Sequence, residues 1–139
     1  MRVVLDTNVV VSGLLWGGAP RRLLDAARAR RLELCVSSVL LAELADVLSR
    51  RHLAAVIAPH ETGPEQLMQG YAMLAELVIP ASVAATALRD PDDNDVLACA
   101  SAARADLIVS GDSDLLVLKE HDGISIVKPA EALARIEAA

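Results

Sequence analysis

The sequence predicts a three-layer α/β/α domain on a mostly parallel sheet of about five strands, spanning residues 1–139 as one unit. Three observations lead there. With 139 residues the chain is long enough for one hydrophobic core. Its short strand-like runs, such as Val3-Val4-Leu5 and Leu107-Ile108-Val109, are continuously apolar rather than alternating, the pattern of strands covered on both faces. These runs are separated by helical stretches, and strand–helix–strand order calls for crossovers between parallel strands. Phe is absent and Trp16 and Tyr71 are the only aromatic residues, so the core has to be built from Ala, Leu, Val and Ile.

Val3-Val4-Leu5 reads as the first strand, ending in a polar turn at Asp6-Thr7-Asn8. Gly17-Gly18-Ala19-Pro20 interrupts the chain and sets Pro20 at the start of a helix to about Arg31, and Leu32 to Val36 forms a second strand. Ser37-Ser38 can cap a helix from about Val39 to Arg51. Pro59 to Pro64 is a loop, and a helix from about Glu65 to Glu76 leads into a strand at Leu77-Val78-Ile79. Asp90 as N-cap and Pro91 at N1 open a helix to about Arg104. The strand Leu107-Ile108-Val109 follows, then a short helix or turn from Asp112 to Lys119, a last strand Ser125-Ile126-Val127, and a helix from Pro129.

No apolar run approaches the roughly 18–20 residues of a membrane span, and the N-terminus lacks a signal peptide's apolar stretch, so the expected location is the cytoplasm. Cys35 and Cys99 lie far apart without zinc-ligand spacing and read as small buried apolar residues. His52, His60 and His121 are scattered and read as surface residues. Trp16 reads as packing, with base stacking the alternative. The net charge of −6 is unevenly spread: residues 1–51 hold eight Arg against five acids, and the remainder carries −9. The Arg-rich first third is suited to phosphate contact, although taken alone it reads first as a solvated helix surface.

Ligands of an open parallel sheet bind outside the carboxyl ends of its strands. Asp6 ends the first strand, and Asp112 and Asp114 follow the fourth. Asp90, Asp92, Asp93 and Asp95 begin the helix entering that fourth strand, a start expected at the opposite edge unless the preceding loop turns back. Glu43 shares a helix face with Val39, Leu40 and Val47 and has no Lys or Arg one turn away on that face, so it either serves a metal or cleft or snorkels from the stripe's edge. Carboxylates gathered in one cleft need a cation to stay ionised together, and oxygen ligands without His or Cys suit Mg²⁺ or Mn²⁺. Phosphodiester hydrolysis is the chemistry such a site fits. Turn or cap chemistry accounts for Asp90, Asp92 and Asp114 taken singly. Periodicity separates Asp93 from Asp95 only slightly, because Asp93 aligns with Leu97 and Ala100 and Asp95 with Cys99 and Ala102.

The ordered set Val3-Val4-Leu5-Asp6-Thr7-Asn8, Ser38 to Glu43-Leu44, Asp90-Pro91-Asp92-Asp93-Asn94 and Ile108-Val109-Ser110-Gly111-Asp112-Ser113-Asp114 resembles a PIN domain over essentially the whole chain. The similarity is greatest to the branch of type II (VapBC-like) toxin–antitoxin toxins. The resemblance implies a Mg²⁺- or Mn²⁺-dependent endoribonuclease in which Asp6, Glu43, Asp93 and Asp112 serve as metal-binding and catalytic acids. It further implies supporting roles for Asn8, Ser110 and Asp114, and favours Asp93 over Asp95, which is left as a helix-dipole partner or supporting acid. Such proteins cut single-stranded or loop RNA to a 5′-phosphate and a 3′-hydroxyl; many are blocked by an antitoxin and many form homodimers. In that setting Arg21 and Arg22, after the Gly17-Gly18 loop, become the foremost candidates for RNA phosphate contact.

A phosphoacceptor receiver domain would share the acidity, the architecture and a Lys-Pro pair like Lys128-Pro129, but it needs an acceptor Asp ending the third strand and an acidic pair after the first, and neither is present. A haloacid-dehalogenase phosphatase needs Asp-x-Asp where this chain has Asp6-Thr7-Asn8. A catalytically idle PIN-like module that docks RNA or protein is the remaining alternative.

Overall fold

The computed structural model describes all residues except 61, 81–90 and 139. Its sheet has the order β3-β2-β1-β4-β6-β5, where β1 is Arg2–Leu5, β2 Glu33–Val36, β3 Ala75–Leu77, β4 Leu107–Val109, β5 Glu120–His121 and β6 Ile124–Val127. All neighbours pair parallel except β5 with β6. The helices are α1 Thr7–Leu15, α2 Ala19–Arg28, α3 Ser38–Leu48, α4 Arg51–Ile57, α5 Pro64–Leu74, α6 Pro91–Ala103, α7 Ser113–Leu116 and α8 Pro129–Ala138, with a 3₁₀ turn at Ala58–His60. Val3, Val4 and Leu5 are all buried although successive side chains point to opposite faces, so the middle of the sheet is covered on both sides. The core is aliphatic as expected, with Tyr71, Cys35 and Cys99 enclosed in it. None of the described helices is long and apolar enough to cross a membrane.

Several elements differ from the sequence reading. The segment after Leu5 is not a turn: Thr7 begins α1 directly, with Asp6 as its N-cap residue. Thr7, Val9, Val10, Val11, Gly13 and Leu15 of this helix are buried, which leaves only Asn8 exposed and Ser12 and Leu14 half-buried, so its helical period is weak. Gly13 lets α2 approach, because a Cβ there would stand 2.8 Å from Leu24 Cδ1 and 2.9 Å from Pro20 O. The third strand lies at Ala75–Leu77 rather than 77–79, and Ile79 is 89% exposed. Of the apolar run only Leu77 is in the ladder, where it pairs with Val36, and the Val78 N–H donates to Val36 O at 2.8 Å. α4 and β5 were not anticipated; β5 turns into β6 through Asp122 and Gly123, both at positive φ, which is the backbone of a tight hairpin turn. Trp16 is 48% exposed at the end of α1 and is not a core residue. Asp90, expected as an N-cap, lies outside the described residues.

The chain order reverses between β1 and β4: β2 and β3 extend the sheet to one side of β1, and β4 and β6 to the other. Such a switch point opens a crevice at the carboxyl edge of the two central strands. At the amino edge Arg2 pairs with Glu33 and Glu76 and donates from Nε to Ala103 O at 2.8 Å.

Candidate metal centre

β1 and β4 pair with Leu5 opposite Val109, so Asp6 and Ser110 emerge side by side at the switch point. The Asp6 N–H continues the ladder by donating to Val109 O at 2.9 Å. Although Asp6 stands at the N-cap of α1, its carboxylate makes no capping bond; it accepts from the Ser110 hydroxyl at 2.8 Å. The same hydroxyl accepts the Asp112 N–H at 2.9 Å. One buried oxygen therefore fixes two acidic residues that are distant in sequence.

Asp112 caps α7, with its Oδ1 accepting the Asp114 N–H at 2.8 Å. This tight turn folds Asp114 back beside Asp112. Asp93 joins them from the first turn of α6, and one carboxylate oxygen from each of Asp93, Asp112 and Asp114 lies within 4.8 Å of the others. Asp93 is 4% exposed, Asp112 half-buried and Asp114 exposed. The expectation that α6 would start at the opposite edge is corrected here. A crossover helix runs antiparallel to the strands it joins, so it begins at their carboxyl edge and delivers the chain to the amino edge for β4. The positive end of its dipole accordingly faces the carboxylates.

Glu43 is half-buried on α3 and accepts a hydrogen bond from Thr7 Oγ1 at 3.0 Å, which ties it to the residue after Asp6. The three-carboxylate group does not include Asp6, Glu43 or Asp95; Asp95 is half-buried one turn's fraction further along α6. Asn8 is exposed on α1. Arg21 and Arg22 are not brought to this edge. About 12 Å of helix rise separates Thr7 from Leu15, and Arg21 sits beyond that far end, its Nε donating to Gly13 O at 2.7 Å and Trp16 O at 3.2 Å. Arg22 pairs with Glu137 of α8 at 2.9 Å. Thr7 was missed by sequence reasoning, which took it for a turn residue; its polarity amid buried valines was the available signal.

The donor chemistry fits a hard divalent cation. Carboxylate oxygens within 4.8 Å of one another carry like charge that a cation among them neutralises. Three such groups held together by backbone geometry are relieved by a cation among them, and an all-oxygen set suits Mg²⁺ or Mn²⁺.

Comparison with known proteins places this edge in a family context. A family model described as PIN domain matches residues 2–114. Among solved structures, the chain is similar to the crystal structure of VapBC2 from Rickettsia felis bound to a DNA fragment from their promoter, with a TM-score of 0.60 and 14% identity over 91% of this chain and 97% of that one. At that identity the likeness is one of fold. No curated protein matches the sequence.

Proposed function

The chain belongs to the PIN domain family, and on that premise we propose that it is a divalent-cation-dependent endoribonuclease acting on single-stranded or loop RNA as the toxin of a toxin–antitoxin pair. The observation that carries the reading is the convergence of Asp93, Asp112 and Asp114 at the switch point, beside an Asp6 tied to Asp112 through Ser110. Asp6, Glu43, Asp93 and Asp112 would hold Mg²⁺ or Mn²⁺, with Asp114 and Ser110 supporting them. When bound, the cation supplies positive charge for a phosphate and makes water acidic enough at neutral pH to attack phosphorus.

This chain's own residues fix where that chemistry occurs. Ser110 holds Asp6 and the Asp112 backbone in one arrangement before substrate arrives. The Asx turn at Asp112 keeps Asp114 at the rim, where an exposed acid can orient water or accept its proton. Addition of water to phosphorus breaks the P–O3′ bond, leaving a 5′-phosphate on one fragment and a 3′-hydroxyl on the other. An unstacked backbone bends into such a crevice more easily than a duplex does. The antitoxin partner is proposed from the likeness to the VapBC2 assembly.

Incubation of the protein with a single-stranded RNA in Mg²⁺ or Mn²⁺ tests the reading. It predicts fragments bearing 5′-phosphates and no cleavage in excess EDTA. Cleavage that persists undiminished in EDTA refutes the metal, and a folded protein that never cleaves RNA favours the idle module.

A further inference from the structure

We propose that Thr7 is a positioning residue of this centre: its hydroxyl holds the Glu43 carboxylate in the orientation in which Glu43 serves the cation. Thr7 is 4% exposed and opens a helix whose other buried side chains include Val9, Val10 and Val11. Valine has the same shape, so packing alone gives no reason for an oxygen at this position. That oxygen donates to Glu43 Oε2 at 3.0 Å, joining the start of α1 to the middle of α3 across 36 residues of sequence. Thr7 also follows Asp6 directly, and Asp6 is held by Ser110, which holds Asp112. A continuous hydrogen-bonded and covalent path therefore runs from Glu43 through Thr7, Asp6 and Ser110 to Asp112. A carboxylate ligand that is itself hydrogen-bonded is pre-oriented, and losing the partner typically costs about 10–100-fold in metal affinity.

The inference rests on the reading of Glu43 as a metal-serving acid, and the experiment separates the two. Mn²⁺ is titrated calorimetrically into the wild-type protein, Thr7→Val, Thr7→Ser and, as a smaller replacement should Thr7→Val not fold, Thr7→Ala, with thermal unfolding of each followed in EDTA. Thr7→Val is expected to weaken Mn²⁺ binding by about tenfold or more, Thr7→Ser to stay close to wild type, and both to remain folded in EDTA. In a Glu43→Gln background, Thr7→Val is expected to cause little further loss. Wild-type Mn²⁺ affinity in folded Thr7→Val overturns the inference and leaves the metal reading intact. A wild-type protein that does not bind Mn²⁺ overturns both. A full tenfold loss in the Glu43→Gln background shows the hydroxyl acting elsewhere and overturns the inference. If Thr7→Val and Thr7→Ala are both unfolded in EDTA, the hydroxyl is structural and the inference also fails.

Discussion

Replacing Ser110 by Ala removes one oxygen from a residue with no exposed surface. Two hydrogen bonds go with it: the donation to Asp6 Oδ2 at 2.8 Å and the acceptance from the Asp112 N–H at 2.9 Å. A bond to an ionised group is worth about 1.5–3 kcal/mol and one between neutral groups about 0.5–1.5 kcal/mol, so the loss is expected at about 2–4 kcal/mol. The cost is at the upper end if the Asp112 N–H finds no replacement acceptor. Urea unfolding in EDTA measures it, with an unchanged m-value showing that both states keep their compactness. In an Asp6→Asn background the same substitution should cost about 1 kcal/mol less, because the charge-assisted part of the bond has gone. A loss below about 0.5 kcal/mol in the wild-type background would refute Ser110 as the link between the two strand ends.

Gly13→Ala should lower stability by about 1–3 kcal/mol through contact with Leu24 and Pro20 O, and an unchanged urea midpoint would contradict the close approach of α1 and α2. Arg21→Ala should cost about 1 kcal/mol, because its guanidinium holds carbonyls at the end of α1, whereas Arg22→Ala removes an exposed pair and should be near neutral in a thermal melt. Phosphate contact by these two arginines predicts a shallower salt dependence of RNA binding in the double variant, and an identical slope leaves them their intramolecular roles alone. Burial pushes the Cys99 thiol from 9.0 to about 12 and raises Cys35 as well. A group that holds its proton more tightly when folded stabilises the protein fully below its unfolded pKa and loses that contribution as pH rises towards the folded one. Stability should therefore fall from about pH 9 upward, at up to about 1.4 kcal/mol per pH unit per thiol, and a flat profile from pH 9 to 11 would contradict the burial.

The central strands were legible because residues buried on both faces leave continuous apolar runs, as at Val3 to Leu5 and Leu107 to Val109. α1 was less legible, since Asn8 alone is exposed along it and the run of buried valines that follows has the look of a strand. The β5–β6 hairpin had its Asp122-Gly123 signal in view, but Glu120-His121 is too short and polar to read as a strand. Leu77-Val78-Ile79 has the look of a buried run, whereas Leu77 and Ile79 are exposed and the last ladder bond is from the Val78 N–H to Val36 O. In the candidate site, Asp6 and Asp112 could be located because strand ends define the crevice. The edge at which Asp93 arrives follows from the direction of a crossover helix, which is a tertiary rule and leaves no mark in the local pattern of residues 90–95. The Thr7–Glu43 bond depends on a distance between two elements, and no local pattern encodes it.

The central claim is that the carboxylates at the switch point perform metal-dependent RNA cleavage, and the sharpest measurement compares two neighbouring acids on one helix. Single-turnover cleavage of a single-stranded RNA in saturating Mn²⁺ is followed for wild type, Asp93→Asn and Asp95→Asn, each first shown to be folded. Asp93 belongs to the three-carboxylate group and Asp95 does not. The account predicts a loss of at least about a hundredfold for Asp93→Asn, the scale of removing an electrostatic catalytic group, with most of the rate kept in Asp95→Asn. Wild-type cleavage by Asp93→Asn, or the reverse ranking of the pair, would contradict it.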